Sequence, residues 1–191
     1  MIVALALGLA LAIQAWIVKP YQIPSASMEP TLDIGQRVLV NRFLYSFSDP
    51  SIGDIVVFHP PVGAENGKRC GNPETGATTS SAACDRPVAD RSDTNFIKRI
   101  VAGPGDRLSV RNGHPVVDGV EATDEDFIAP CQPGGDCNLQ TEITIPPDHY
   151  FMMGDNRGES DDSRYWGPVP RDWIIGRAFA TYWPPDRIGI F

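Results

Sequence analysis

The sequence predicts a mainly β protein, in which antiparallel sheets form a partly open, barrel-like domain with long loops after one N-terminal transmembrane helix. Three features favour this fold. Short apolar segments recur along residues 19–191, dipeptides typical of tight turns separate them, and residues 1–18 carry no charge. The 18 prolines and 18 glycines are scattered among the apolar segments, which is typical of a loop-rich β protein rather than a disordered one.

Residues 1–18 form the first predicted element, a transmembrane anchor. As a helix this segment would be about 27 Å long, close to the ~30 Å thickness of a bilayer core. It lacks the basic residues that open a secretory signal peptide, so an anchor is favoured over a cleaved leader, and a buried core helix is the other alternative. We expect residues 19–191 to form one domain attached to the bilayer.

Two signals oppose each other on the orientation of this anchor. Lys19, Arg37 and Arg42 follow the span, and a count of positive charges by itself would place the domain in the cytoplasm. An even number of cysteines with short loops instead fits disulfides and an oxidising compartment. We give the cysteines more weight, expect the domain outside the cytoplasm, and expect basic residues before Met1 in the complete protein.

The cysteines predict two disulfides. Cys131 and Cys137 lie six positions apart, and Cys70 and Cys84 flank a polar stretch, but the sequence leaves the connectivity open. The alternative, a metal site, needs the C-x2-C and histidine spacing of zinc proteins, which is missing. No metal is therefore expected.

The domain begins with a segment in which Pro20, Pro24 and Pro30 forbid a regular helix. Strands are predicted beyond it where short apolar runs lie between turn signals, at residues 37–41, 55–58, 96–101, 141–145, 150–153 and 174–183. Asn112-Gly113 is a strong hairpin signal and predicts a β-meander within a smaller subdomain, about residues 107–148.

Residues 60–93 separate two of these predicted strands. They are rich in Gly, Pro, Ser, Thr and Ala and contain the first two cysteines. Such a composition predicts a long surface excursion rather than part of the core.

Ser25 and Ser27 are the first candidate catalytic residues in the sequence. They lie two positions apart in a stretch bounded by prolines, which predicts an extended backbone that can aim hydroxyls and amides with little entropy left to lose. The simpler interpretation is a linker between the anchor and the domain, because Ser/Pro linkers are common.

Lys98 is the second such residue, because it lies inside an apolar predicted strand. A lysine there either extends to water or is buried, and burial favours the neutral amine, which is a base. Deprotonation at pH 7 costs about 4.6 kcal/mol from an ordinary pKa, and burial is able to supply most of this. A solvated lysine beside Arg99 is the alternative.

The third region is the loop that follows the predicted strand 150–153, in which acids, arginines and hydroxyls alternate. Arg157 occupies a position where an EF-hand needs a carboxylate or amide, and the final glutamate of that motif is missing, so a calcium site is excluded. A network of arginine–carboxylate pairs that stiffens the loop is the better explanation.

Taken together and in this order, these segments resemble the bacterial type I signal peptidases, the Ser/Lys dyad serine protease family. The matching stretches after the span are PSASMEPTL, GDIVVF, KRIVAGPGD and GDNRGESDDSRYWG. The resemblance covers the chain from the anchor to nearly the last strand. It implies a serine endopeptidase that removes signal peptides from exported preproteins after small residues, at sites of the Ala-x-Ala type, on the extracytoplasmic side of the bacterial inner membrane.

The same resemblance assigns roles to individual residues. Ser27 is similar to the nucleophile and Lys98 to the general base. Ser25 resembles the hydroxyl that completes an oxyanion hole with the Ser27 amide, and Ser160 resembles the residue that orients the lysine. Two ion pairs are implied to support the loop, between Asp155 and Arg99 and between Asp162 and Arg164.

Shallow apolar pockets beside the nucleophile are implied as well. The residues that the resemblance suggests for their lining are Tyr21, Ile23, Met28, Leu32, Phe96 and Ile97. Ordinary core packing is the alternative for every one of them. The substrate is expected to bind as an added strand at a sheet edge.

The net charge of the chain bears on which other partners it binds. The formal net charge is −8 and the basic residues form no long run, so nucleic acid is not an expected partner. The expected partners are signal peptides and the lipid bilayer, the expected oligomeric state is a monomer, and no cofactor is expected.

Three other functions are alternatives to this one. A Ser/His/Asp hydrolase could use His59, His114 or His149, but turn and surface positions explain these residues. A self-cleaving repressor uses a similar Ser/Lys pair but carries a DNA-reading domain and no span. A membrane-tethered β domain that only binds partners would not need Lys98.

Overall fold

The computed structural model describes residues 8, 17–66, 70, 82–122, 127–131 and 137–191. The predicted anchor, residues 1–18, therefore lies outside the described residues except for Gly8, Ile17 and Val18. Among the residues that are described, no helix combines the length and hydrophobicity that crossing a bilayer requires. Val18, the last residue of the predicted anchor, is the first residue of a strand.

The prediction of a mainly β, antiparallel fold is confirmed. The strands are β1 (Val18–Gln22), β2 (Arg37–Asn41), β3 (Ile55–Phe58), β4 (Phe96–Ala102), β5 (Arg107–Arg111), β6 (His114–Val117), β7 (Val120–Glu121), β8 (Leu139–Thr144), β9 (His149–Met153), β10 (Val169–Pro170), β11 (Ile174–Trp183) and β12 (Gly189–Ile190). One α-helical turn, α1 (Ser163–Trp166), follows β9. Short 3-10 turns lie at Ala26–Met28, Leu44–Ser46, Ala64–Asn66, Arg171–Trp173 and Pro185–Arg187.

The larger sheet has the strand order β1-β2-β11-β3-β4-β9-β10, and β12 pairs with β11. All its neighbouring strands are antiparallel. Strand β3 lies at the centre and is buried on both faces. Ile55 and Val57 pack into one apolar cluster, and Val56 and Phe58 pack into another. This alternation explains why β3 is a continuous apolar run rather than an alternating one.

The smaller sheet has the order β7-β6-β5-β8. Its hairpin turns at Asn112-Gly113, where both residues have positive φ, as the sequence predicts. Leu108, Val110 and Ile143 of this sheet pack against Val101 and other residues of the larger sheet in a shared apolar cluster. The smaller sheet therefore rests on the end of β4 and on β9.

Strand β1 is an element that the sequence analysis did not predict, and the expectation that residues 60–93 lie outside the core is wrong. Strand β1 forms within the proline-containing segment after residue 17, because Pro20 lies in a two-stranded edge pairing with β2 that tolerates a missing donor. The excursion of residues 60–93 also contributes to the core: Ala64, Ala83 and Cys84 are buried, and the Cys84 amide donates to the Arg164 carbonyl. Small side chains fit close to the main sheet, which composition by itself does not reveal.

Candidate active site

Ser27 lies in the 3-10 turn Ala26–Met28, where an extended backbone was expected. The Glu29 amide closes this turn on the Ala26 carbonyl, at 3.0 Å. Ser25 precedes the turn and keeps the extended conformation. The turn presents the Ser27 hydroxyl while its amide, in the first turn of a helix, has no partner inside that turn.

Lys98 reaches this serine from β4. Its Nζ lies 2.6 Å from Ser27 Oγ, and the Ser25 hydroxyl donates a weaker bond to the same oxygen, at 3.3 Å. Ser27 is 7% exposed and Lys98 is 4% exposed. The structure therefore brings together the two residues that the sequence suggested as nucleophile and base.

Burial shapes the electrostatics of this amine. Desolvation lowers the pKa of Lys98 to about 8, although Asp162 and Asp161 act in the opposite direction. Among the described residues, no carboxylate lies within ion-pair distance of Lys98 Nζ. The amine is therefore able to exist in its neutral form near neutral pH.

The loop after β9 forms hydrogen bonds with the turn Ala26–Met28, which we call the serine turn. The Asn156 amide donates to the Ser27 carbonyl at 3.1 Å, and Asn156 Nδ2 donates to the Ala26 carbonyl at 3.2 Å. The Thr31 hydroxyl donates to Asp155 Oδ2 at 2.5 Å. These bonds join the turn to the loop at consecutive loop residues and limit its movement.

Asp155 also forms an ion pair with Arg99. Arg99 Nε and Nη2 donate to the two carboxylate oxygens at 2.9 and 2.7 Å, a bidentate arrangement. Asp155 is completely buried and the Arg99 side chain is 12% exposed. The structure thus contains the first ion pair that the resemblance implied.

The second implied pair, Asp162 with Arg164, is buried at both ends. Arg164 Nε and Nη2 donate to the carboxylate at 2.8 and 2.9 Å, and the Gly154 amide donates to it at 3.0 Å. Burial alone would raise the pKa of Asp162, but Arg164 outweighs it and holds that pKa below its ordinary value. The pair closes the loop on itself and on β9.

Ser160 does not make the contact that was expected of it. Its hydroxyl is buried and meets no hydrogen-bond geometry with any described group, Lys98 included, although it contributes to the low pKa of Asp162. Ser160 nevertheless lies close to the serine turn. A Cβ added at Gly154 would clash with both Ser160 Oγ and the Ser27 carbonyl oxygen.

Two neighbouring cavities lie on this side of the domain, and one of them is lined by Ser27. One, of about 370 Å3, contains Ser25, Ser27 and Lys98 in its lining. The other, of about 210 Å3, is lined by residues of the chain before Ser25 and of the start of β4. The two share Pro24, Asn95, Phe96 and Ile97. Together they outline one cleft, because these four shared residues form part of the wall of both cavities.

The residues suggested for the pockets divide into two groups. Tyr21, Ile23, Phe96 and Ile97 line the cavities. Met28 and Leu32 do not: both are fully buried in the apolar cluster beneath the cleft, with Val38 and Val40. The core interpretation is therefore the one that the structure gives for these two residues.

His59 and His149 form hydrogen bonds with groups other than Ser27. His59 Nδ1 contacts the Thr94 carbonyl at 3.0 Å, and His149 Nδ1 contacts the Pro147 carbonyl at 2.7 Å. The hydrogen bonds of Ser27 Oγ in the described chain go to Ser25 and Lys98. This arrangement disfavours a Ser/His/Asp triad.

The cysteines pair as Cys70–Cys84 and Cys131–Cys137. The first disulfide joins two residues that contact α1, since the Cys70 amide donates to the Tyr165 carbonyl at 2.7 Å and the Cys84 amide donates to the Arg164 carbonyl at 3.0 Å. The second lies beside the β5–β6 hairpin, where the Gly113 amide donates to the Cys137 carbonyl at 2.8 Å. Within the described ranges no group of side chains has the composition of a metal site.

The sequence did not single out several residues of this site. Thr31, Gly154 and Asn156 fix the serine turn, and Glu65 and Asn95 line the cleft. Gly154 and Asn156 lie within the GDNR stretch, which was interpreted only through its charged members. Glu65 lies in the excursion 60–93, where nothing in the composition signalled a role.

Comparison with known proteins places the chain in a family. The family model described as "Signal peptidase, peptidase S26" matches residues 1–183. The chain belongs to the signal peptidase family, peptidase S26. This membership makes it a hydrolase of peptide bonds.

Curated members of the signal peptidase family resemble nearly the whole chain. A probable signal peptidase I-2 of Synechocystis is 36% identical over 95% of this chain and 71% of its own length. Signal peptidase I of Leptolyngbya laminosa is 34% identical over 98% of this chain and 79% of its own length. A probable chloroplastic thylakoidal processing peptidase 2 of Arabidopsis thaliana is 37% identical over 96% of this chain and 43% of its own length.

Among solved structures, a signal peptidase I from Enterococcus faecalis covers 68% of this chain and 97% of its own. Its sequence identity is 21% and its TM-score is 0.45.

Proposed function

We propose that this chain removes N-terminal signal peptides from exported preproteins, with Ser27 as the nucleophile and Lys98 as the general base. One observation carries the proposal: Lys98 Nζ and Ser27 Oγ lie 2.6 Å apart, both almost completely buried. A hydroxyl needs a base within hydrogen-bond reach, and a desolvated lysine is such a base. Family membership supports the class of reaction.

The proposed chemistry is acyl transfer in two steps. The neutral Lys98 amine takes the proton of the Ser27 hydroxyl as Oγ attacks the scissile carbonyl. The resulting ammonium returns that proton to the leaving amine of the mature protein, which leaves an ester between Ser27 and the signal peptide. Water, deprotonated by the same amine, then hydrolyses the ester and restores Ser27.

The oxyanion of each tetrahedral intermediate would be stabilised beside the serine turn. The Ser27 amide has no partner inside that turn, and the Ser25 hydroxyl lies 3.3 Å from Ser27 Oγ. Both donors are close enough to the nucleophile to serve a carbonyl bound there. Loss of one such donor costs about 3 kcal/mol of barrier in other acyl-transfer enzymes.

The cleft supports cleavage after small residues, of the Ala-x-Ala type. Phe96 and Ile97 line the same cavity as Ser27, and Tyr21 and Ile23 line the neighbouring cavity, so apolar side chains form much of the wall. An extended peptide between residues 22–25 and the start of β4 would direct alternate side chains into this lining. Large side chains at those positions would meet packed walls.

The proposed location is the bacterial inner membrane, with residues 1–18 as the anchor and the monomeric domain of residues 19–191 on the periplasmic side. Residue 17 enters the domain directly at β1, since the Arg42 amide donates to the Ile17 carbonyl. Since one relative is named as a thylakoidal enzyme of chloroplasts, a thylakoid membrane is the second location.

The test is cleavage of a purified precursor with alanine at its cut site by the detergent-solubilised chain. We expect Ser27→Ala, Lys98→Met and Lys98→Arg to abolish cleavage, since arginine keeps its charge and cannot act as the base. The exposed Ser48→Ala serves as a matched control and keeps full activity. Unchanged circular dichroism would show that the variants fold. Full cleavage by Lys98→Met would reject the dyad.

A further inference from the structure

Three acidic residues line the cavity that contains Ser27 and Lys98. Glu65, Glu159 and Asp161 all line the same cavity of about 370 Å3. Lys98 is the only basic side chain among the described residues that line it. A positively charged side chain of a bound peptide that passes close to Glu65 or Glu159 would be attracted to that wall of the cleft.

Glu65 is the carboxylate that the structure holds most firmly. It belongs to the 3-10 turn Ala64–Asn66, and its oxygens accept hydrogen bonds from Ser92 Oγ, from Thr94 Oγ1 at 3.3 Å and from the Gly63 amide at 3.2 Å. The bond from Ser92 is the main cause of a lowered pKa of Glu65. The group is thus ionised and oriented before any substrate binds.

The position of Glu65 follows from those partners. Ser92 and Thr94 lie immediately before Asn95 and Phe96, which line both cavities of the cleft. The carboxylate consequently stands at the entrance to β4, on the same cavity as the nucleophile. A side chain of a bound peptide that points away from the apolar pockets would pass within its field.

When Lys98 gives up its proton, no positive charge remains among the described groups that line this cavity. Acylation begins with the neutral amine and with the residues on both sides of the scissile bond still in the cleft. A cation on the substrate would be attracted at that stage, and a carboxylate would be repelled. The interaction is partly solvated, so its size is modest.

We infer that the cleft favours preproteins with a positively charged side chain next to the scissile bond, and that Glu65 is the residue that determines this preference. The inference rests on the proposed function and adds a charge preference to the requirement for small residues. It gives the excursion 60–93 a function, namely to deliver Glu65 to the cleft.

The experiment uses the full chain in detergent with a set of precursor peptides that carry alanine at the cut site. Each peptide has lysine, norleucine or glutamate at one position, either the second residue before the bond or the first or second residue after it. Norleucine matches the length of lysine without its charge. The readout is the ratio of kcat/KM for the lysine peptide to that for the norleucine peptide.

For the wild-type chain we expect a ratio of about two to five at one or more of these positions, falling towards one as salt is raised. Glu65→Gln should bring the ratio close to one there, and Glu65→Lys should make the glutamate peptide the better substrate. Glu142→Gln, on the exposed face of the smaller sheet, is the matched control and should leave the ratio as in the wild type.

A wild-type ratio of one at every position overturns the inference, even though efficient cleavage would leave the proposed function intact. A ratio that Glu65→Gln and Glu65→Lys do not change overturns the assignment to Glu65. A wild-type chain that cleaves none of the peptides contradicts the proposed function itself.

Discussion

Lys98 and Arg99 are consecutive residues of β4, yet among the residues that the structure describes only the arginine has a carboxylate partner. Arg99 forms a bidentate pair with Asp155, whereas Lys98 Nζ lies 2.6 Å from the hydroxyl of Ser27. Consecutive side chains of a strand point to opposite sides, which separates the two environments. The arginine keeps its charge, whereas burial lowers the free energy that deprotonation of the lysine requires.

The rate of cleavage should depend on pH through Lys98. Since its pKa is lowered to about 8, the neutral base becomes more abundant as pH rises towards that value and is nearly complete above it. We expect kcat/KM to rise about tenfold per pH unit below the pKa and to level off above it. A peptide without ionisable groups near the cut site should be used. A profile that is flat from mildly acidic to alkaline pH would contradict the role of the lysine.

Lys98→Met should be inactive but more stable than the wild type. The folded pKa, about 8, lies below the ordinary value of 10.5, so the folded state binds fewer protons than the unfolded state between these values, and wild-type stability rises with pH there. Below pH 8 the cost of burying the charge is fully present, on the order of 3 kcal/mol.

Thermal unfolding at neutral and at strongly alkaline pH measures this effect. The advantage of Lys98→Met should be largest at neutral pH and should shrink as pH approaches the ordinary lysine pKa. Lys19→Met, at an exposed lysine, should show no such trend. A Lys98→Met variant that is less stable than the wild type at neutral pH would contradict the cost assigned to burial.

Gly154→Ala should impair catalysis strongly. A Cβ there would clash with the Ser27 carbonyl oxygen and with Ser160 Oγ, so the serine turn has to move. A displacement of about 1 Å at a reacting group costs about a hundredfold in rate. Gly158→Ala is the matched control in the same loop, because an added Cβ meets no atom within 4 Å there. Steady-state kinetics of both variants test this, and equal rates would disprove the clash.

Asp155→Asn should destabilise the fold. The substitution keeps the shape of the side chain but leaves Arg99, which is 12% exposed, without its carboxylate. Removing one partner of a buried pair costs about 3 to 5 kcal/mol. Glu121→Gln breaks the exposed pair with Arg111 and should cost at most about 1 kcal/mol. Denaturant unfolding compares the two, and similar losses would show that burial of the Asp155 pair does not matter.

Ser160→Ala separates two roles of that hydroxyl. Ser160 Oγ meets no strict hydrogen-bond geometry but helps to keep the pKa of the buried Asp162 low, so its removal should lower thermal stability only slightly. If the hydroxyl orients Lys98 once substrate is bound, as the resemblance implies, kcat should fall and the acid limb of the pH profile should shift. An unchanged kcat and profile would remove Ser160 from the mechanism.

Local patterns in the sequence were enough to predict most of the strands and several residues of the candidate site. Alternation and turn dipeptides located most of the strands, including the Asn112-Gly113 hairpin, because strand periodicity and positive φ are properties of short segments. The order of the motifs likewise pointed to Ser27, Lys98, Asp155 and Asp162. Family membership then confirmed the resemblance that those motifs carry.

Contacts between distant segments were decided by the tertiary structure. Whether Met28 and Leu32 line a pocket or fill the core depends on what packs above them, and the fold buries both. Likewise, the place of Glu65 at the cleft depends on Ser92 and Thr94, far along the chain from Ser27. A sequence encodes the apolar or polar character of each residue, but the dielectric surroundings of an amine or carboxylate arise only when remote segments exclude water around it.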